Sequence, residues 1–155
     1  MNAINHEIRL AARPGGLPAR SDWELTTEPV PAPGPGEFVV AVSYLSIDPA
    51  MRRWIDADYR EPVAIGTVME TGAAGRVIAS EHPGFAVGEH VYGGFGVQEY
   101  TRSDGTGVTK LAGWLREGRL VSREDILAGG VRAFPDALPK LFAGQNTGKL
   151  IVVVQ

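Results

Sequence analysis

The chain has 155 residues, 44% of them hydrophobic, with 20 Gly and 11 Pro, which is enough for one core and one globular domain rich in turns. Its 15 basic and 18 acidic residues give a net charge of −3 without a basic stripe, which argues against nucleic acid as a partner. The absence of Cys excludes disulfides, thiol nucleophiles and cysteine zinc sites, and the longest apolar run, Leu150–Val154, is far short of the ~20 residues of a membrane span, so a soluble, cytoplasmic protein is expected.

From Ile4 to about Lys110 the pattern is strand, turn, strand. Asn5–Leu10 alternates polar and apolar residues, Arg13-Pro14-Gly15-Gly16 interrupts, and Trp23–Val30 resumes with half-buried strand spacing. Regular structure is forbidden in Pro31–Glu37, where successive prolines remove donors and fix φ. The strongest strand is Phe38–Ile47, ended by Asp48-Pro49, where a helix begins with Asp48 placed to cap it. Gly72–Ala79, Gly88–Tyr92 and Val97–Thr101 read as further strands between Gly or Pro residues.

Beyond Lys110 the spacing becomes helical. Trp114–Gly118 reads as a helix end with Gly118 as its cap. In Phe134–Ala143 a second helix puts Phe134, Leu138, Leu141 and Phe142 on one face, with Gly144 as its stop and Pro139 either kinking the helix or confining it to a first turn. Lys149–Val154 reads as a buried strand. The expected fold is mainly β with a few helices, a partly open barrel to which Leu150–Val154 returns to pair, with residues 1–110 as the barrel part and 111–155 as a helix and strand rejoining it.

Three ordered stretches, Tyr44–Arg52, Pro62–Met69 and His82–Gly93, resemble the zinc-independent medium-chain dehydrogenase/reductases, most closely the NADPH-dependent prostaglandin, leukotriene and curcumin reductases. The segments Gly118–Leu120, Arg123–Asp125 and Gly144–Leu150 resemble the C-terminal part of the same family. The resemblance implies a chaperonin-10-like (GroES-like) catalytic domain, NADPH as the full-length family's cofactor, and small enone or quinone substrates. It also implies that a nucleotide-binding domain is missing at a junction near residues 110–114. A Rossmann domain built of βαβ units of ~30 residues needs on the order of 150 residues, and no such span separates the two parts.

The nearest glycine cluster to a nucleotide fingerprint, Gly93–Glu99, has Glu99 where a third Gly is needed and leads into a strand, so it reads as a loop beside a barrel strand. Among single residues, Tyr59 stands where relatives place a tyrosine toward the substrate, and its alternative is a loop tyrosine. Met51 and Arg52 resemble cofactor contacts, against core packing and a surface cation. Asn146, Gly148 and Lys149 resemble a motif that touches cofactor phosphates, against a helix-stop turn followed by a solvated lysine. His6, His82 and His90 are scattered without metal-ligand spacing, so no metal site is expected. Two readings follow: a substrate-side domain of an NADPH-dependent reductase of α,β-unsaturated carbonyls that binds no cofactor and turns nothing over alone, or a truncated scaffold or small-molecule or partner-binding module. Loss of a covering domain would expose surface near Met51, Trp54 and Trp114 and favour a homodimer through it.

Overall fold

The computed structural model describes residues 3–111 and 124–155. The expected helix end at 114–118, the family-like stretch 118–120, Arg123 and Trp114 lie outside the described residues.

Strand β1 (Ile4–Leu10) pairs antiparallel with β2 (Trp23–Pro29) in a two-stranded sheet. The proline-rich corner then delivers the chain to β3 (Phe38–Ser46), which is central to a larger sheet. Its apolar composition follows from that position, since Phe38, Val39, Val40, Val42 and Leu45 are all buried. One edge of β3 pairs with β4 (Ala73–Ser80); the other takes β6 (Tyr100–Ser103) along its first half and β9 (Lys149–Val153) along its second. Beyond β4 lie β5 (His90–Gly93) and the short β7 (Thr109–Lys110); beyond β9 lies β8 (Glu124–Leu127), the one parallel partner. The sheets do not close, so the expected partly open barrel with a returning C-terminal strand is the fold.

At Gly75 the sheet needs a residue without a side chain. A Cβ there would lie 2.6 Å from Val40 Cγ1 and press on the Ala41 carbonyl of the adjoining strand.

Helix α1 (Ala50–Trp54) starts where Asp48-Pro49 was expected to start it. Asp48 Oδ1 accepts a hydrogen bond from Ala50 N at 2.9 Å, and its carbonyl accepts one from Met51 N. Helix α2 (Phe134–Phe142) carries Pro135 in its first turn and Pro139 inside. Pro139 removes one donor but does not end the helix, which runs on until Gly144 (φ +64°) donates to Leu141 O at 3.0 Å. Its apolar face is the one expected, with Phe134 and Leu138 wholly buried and Leu141 and Phe142 packed against the same core. The rings of Trp23 and Phe134 meet edge to face at 5.1 Å, so the N-terminal strands and the C-terminal helix share one core.

Two expectations shift. The strand expected at Val97–Thr101 takes residue-by-residue register with β3 only from Tyr100; Val97 pairs with β1 through Ile8 N to Val97 O at 2.9 Å, and Glu99 bridges the two, its N donating to His6 O at 3.1 Å and its O accepting from Val42 N of β3 at 2.8 Å. Met51, expected at a newly exposed corner, is wholly buried, while Trp54 is partly buried, packing against the core and bordering the cleft described below. Apolar surface appears elsewhere, at Tyr44, Tyr92 and Ile126 on the outward sheet face, which are 49%, 45% and 55% exposed. Among the described residues no helix is long and apolar enough to cross a membrane.

Candidate functional site

A cleft of about 390 Å³ opens beside the end of α1. Its walls are Trp54, the segment Val68–Gly72, the loop Gly94–Gln98 without Val97, and Thr101. The first wall is set by alternation: Met69 is wholly buried, so Val68 and Glu70 on either side of it turn outward into the cleft. Backbone bonds from Met69 N to Ile8 O (2.9 Å), Val97 N to Met69 O (2.8 Å) and Gly96 N to Thr71 O (3.3 Å) tie the two walls together. Thr71 Oγ1 donates to Ser46 O at 2.6 Å, anchoring the same segment to the end of β3. Gly96 holds φ at +73°, which a side-chain-bearing residue adopts only under strain.

Behind the loop lies a polar network that no motif announces. Asn5, only 2% exposed, accepts from Glu99 N (3.1 Å) and Tyr100 N (2.8 Å) through Oδ1. Its Nδ2 faces Glu7 Oε1 (3.0 Å), Gln98 Oε1 (3.2 Å) and Tyr100 O (2.9 Å), sharing two protons among three acceptors. Glu7 in turn accepts from Arg9 Nη2 at 2.6 Å. Gln98 Nε2 donates one proton to Phe95 O at 2.7 Å, which leaves its second for a ligand in the cleft. Chemically the cleft offers an aromatic wall, the Gln98 amide able to donate to a carbonyl oxygen, and one carboxylate, Glu70, while the Thr71 and Thr101 hydroxyls already donate to Ser46 O and Arg102 O. Among the described lining residues there is no His, Lys, Cys or Tyr.

A shallower depression of about 250 Å³ shares Gly72 with the cleft and is bordered by Tyr44, Tyr92 and Lys149. Lys149 Nζ donates to Ile47 O at 3.1 Å and stands 3.5 Å from Asp48 Oδ2. The fold therefore brings the Asp48–Arg52 corner and the Asn146–Lys149 turn together across about a hundred residues of sequence.

The other residues singled out from sequence are placed as follows. Met51 packs in the core, with its sulfur 3.5 Å from Asp48 N, and presents no surface to a ligand. Arg52 is half-buried; it donates to Gly16 O at 3.0 Å and pairs with Asp56. Tyr59 lies under the Arg53 guanidinium, 6.0 Å from ring centroid to Cζ, and borders neither depression. Its loop is held at the neck by Arg13, which donates to Ile55 O (2.7 Å) and Val63 O (3.0 Å). Asn146 Nδ2 closes a turn onto Gly148 O at 2.8 Å, with Gly148 at φ +88°. Sequence reasoning missed Glu70, Gln98 and Asn5. Met69 beside it was the available signal for Glu70; nothing local marked Asn5, whose partners apart from Glu7 lie more than ninety residues away.

Residues 6–111 match the family described as the N-terminal domain of oxidoreductase, more than half of the chain. The chain belongs to the medium-chain dehydrogenase/reductase family. It is 39% identical over 109 residues to the NADPH-dependent curcumin reductase of Escherichia coli (strain K12), an alignment covering 69% of this chain and 32% of that protein. It is 32% identical over 96 residues to prostaglandin reductase 1 of Oryctolagus cuniculus, covering 62% and 26%. The chain thus spans about a third of the length of its curcumin reductase relative. The crystal structure of CurA in complex with NADPH from Vibrio vulnificus superposes with a TM-score of 0.85 over 97% of this chain and 99% of that one, at 18% identity, and shows the GroES-like fold.

The residues described here fit only part of a dinucleotide. Gly93–Gly96 leads to β6 and not to a helix, so no strand–glycine turn–helix faces a pyrophosphate. Among the described residues Lys149 is the cation lining the neighbouring depression, and Asp48 and the Ile47 carbonyl already engage it. Among the described residues no group of three or more His, Cys, Asp or Glu is gathered for a metal ion.

Proposed function

We propose that this chain is the substrate-side domain of an NADPH-dependent reductase of α,β-unsaturated carbonyls, with the nucleotide-binding domain absent between its two parts near residues 110–114. The observation that carries the reading is the cleft between Trp54, Val68–Gly72 and Gly94–Gln98, within residues 6–111, which match the N-terminal domain of oxidoreductase. It has an aromatic wall for a planar acceptor, and the free proton of Gln98 Nε2 can bind a carbonyl oxygen. Reduction of the double bond needs a hydride donor held over the acceptor, which NADPH supplies when bound. The chain's own contribution is to hold and orient the acceptor. Lys149, Asn146 and Gly148, with Arg52 nearby, would meet the cofactor's phosphates at the edge of the cleft. Their few contacts do not offset the cost of immobilising so large a ligand, so the chain alone binds NADPH weakly and catalyses no turnover. Tyr59 would enter the site only if its loop moved toward the cleft.

The test is enone-dependent loss of reduced-nicotinamide absorbance with purified protein, run beside calorimetric titration of the same enone. Enone binding without turnover is expected. Turnover would place a competent cofactor site in the chain, and failure of neutral enones to bind would favour the second reading, a scaffold or partner-binding module.

A further inference from the structure

Glu70 is the only charged side chain among the described residues that line the cleft. It is exposed, and no hydrogen bond or ion pair engages its carboxylate. Its direction is set by the backbone, because the buried Met69 and the Thr71 hydroxyl bonded to Ser46 O on either side leave Glu70 facing out from a segment that is hydrogen-bonded to both neighbouring strands. Trp54 borders the same cleft. The carboxylate attracts a cation and repels an anion in a cavity whose described lining holds no other charge, and the Trp54 side chain gives a bound aryl group an apolar surface to pack on.

We infer that Glu70 makes this cleft select acceptors bearing a cationic substituent and reject those bearing a carboxylate, an inference that rests on reading the cleft as the acceptor site. Glu70 is a specificity residue and not an acid or base for the reaction. It touches the substituent of the bound molecule at the rim, while the carbonyl end is held by the Gln98 amide. An exposed ion pair contributes modestly, so the expected preference is about two- to fivefold for the cation over the neutral analogue.

The experiment uses three matched probes in equilibrium dialysis: 4-phenylbut-3-en-2-one, its para-carboxylate and its para-trimethylammonium derivative, the quaternary nitrogen being chosen because it cannot add to an enone. Each is measured against the wild-type chain, Glu70→Gln and Glu61→Gln, the last changing an exposed carboxylate that borders neither depression. Affinity in the order trimethylammonium, neutral, carboxylate is expected for the wild type and for Glu61→Gln, with the spread collapsing to within twofold in Glu70→Gln. Equal binding of all three to the wild type, or an order that survives in Glu70→Gln, overturns the inference and leaves the acceptor site standing. Binding of the trimethylammonium probe alone, lost in Glu70→Gln, supports charge selection and overturns the enone reading. Binding of none overturns both.

Discussion

Replacing Asn5 tests whether the polar network behind the cleft holds the loop that forms its wall. Asn5→Ala removes the acceptor for Glu99 N and Tyr100 N and the donor facing Glu7 Oε1, Gln98 Oε1 and Tyr100 O, at a site 2% exposed. Glu99 N keeps its bond to His6 O, and Glu7 keeps Arg9, so the uncompensated groups are chiefly Tyr100 N and one oxygen of Glu7. At roughly 1–3 kcal/mol for each buried group left unpaired, the cost is about 3 kcal/mol. For a chain of this length that lowers Tm by roughly 6–12 °C, read by calorimetry or circular dichroism. Asn5→Asp separates geometry from charge. It keeps the oxygen that accepts from Glu99 and Tyr100 but sets a second oxygen against three acceptors, and is expected to be no more stable than Asn5→Ala at neutral pH. A Tm loss below about 2 °C for Asn5→Ala, or an Asn5→Asp variant as stable as the wild type, would refute the reasoning.

Gly75→Ala forces a methyl group against the Ala41 carbonyl and Val40, and is expected to cost about 3 kcal/mol or prevent folding, as measured by urea unfolding. Met51→Ala is expected to cost about 2–5 kcal/mol in the same assay, because the side chain is wholly buried; a near-neutral result would mean that it belongs to the cleft surface after all. The Asp125 carboxyl is held below the usual carboxylate range, first by its hydrogen bond from Lys140 and then by that from Thr147 N. A depressed folded-state pKa stabilises above the unfolded value of about 3.9 and is lost as pH falls through the folded one, so the urea-midpoint gap between wild type and Asp125→Asn should be present at neutral pH and close in acid. Lys149→Gln, at a half-exposed pair with Asp48, is expected to change stability by less than about 1 kcal/mol by urea unfolding.

Much of the fold could be read from the sequence because its strongest elements carry redundant signals. Phe38–Ile47 is apolar enough to be a strand buried on both faces and is stopped by Asp48-Pro49, which also starts α1. The terminal apolar run could only pair with an existing sheet, and β9 does so on β3. The parallel strand β8 was not legible, since Glu124-Asp125-Ile126-Leu127 is short and half acidic, and its strand character comes from the register it takes beside β9. Pro139 misleads for a related reason: helix packing on the core outweighs one missing hydrogen bond.

The site was less legible than the fold. Residues carried over by resemblance, Tyr59, Met51, Arg52, Asn146, Gly148 and Lys149, come from loops and a short helix whose side-chain directions only the assembled structure decides. Of these, Lys149 alone borders either of the two depressions described above, while the cleft itself is walled by backbone segments fixed by bonds between β1, Val68–Thr71 and Gly96–Glu99. Such walls have no composition of their own. Glu70 is visible only once Met69 is known to be the buried partner in the alternation.

The proposed function rests on one contrast, that this chain holds an enone acceptor while binding NADPH only weakly. It is tested most directly by titrating the protein with a neutral aryl enone and with NADPH in parallel while following backbone amide resonances. The account predicts saturable shifts from the enone concentrated at Val68–Gly72 and Gly94–Gln98, and no saturation by NADPH at millimolar concentration. Micromolar NADPH affinity, or enone shifts that map away from those two walls, would contradict it.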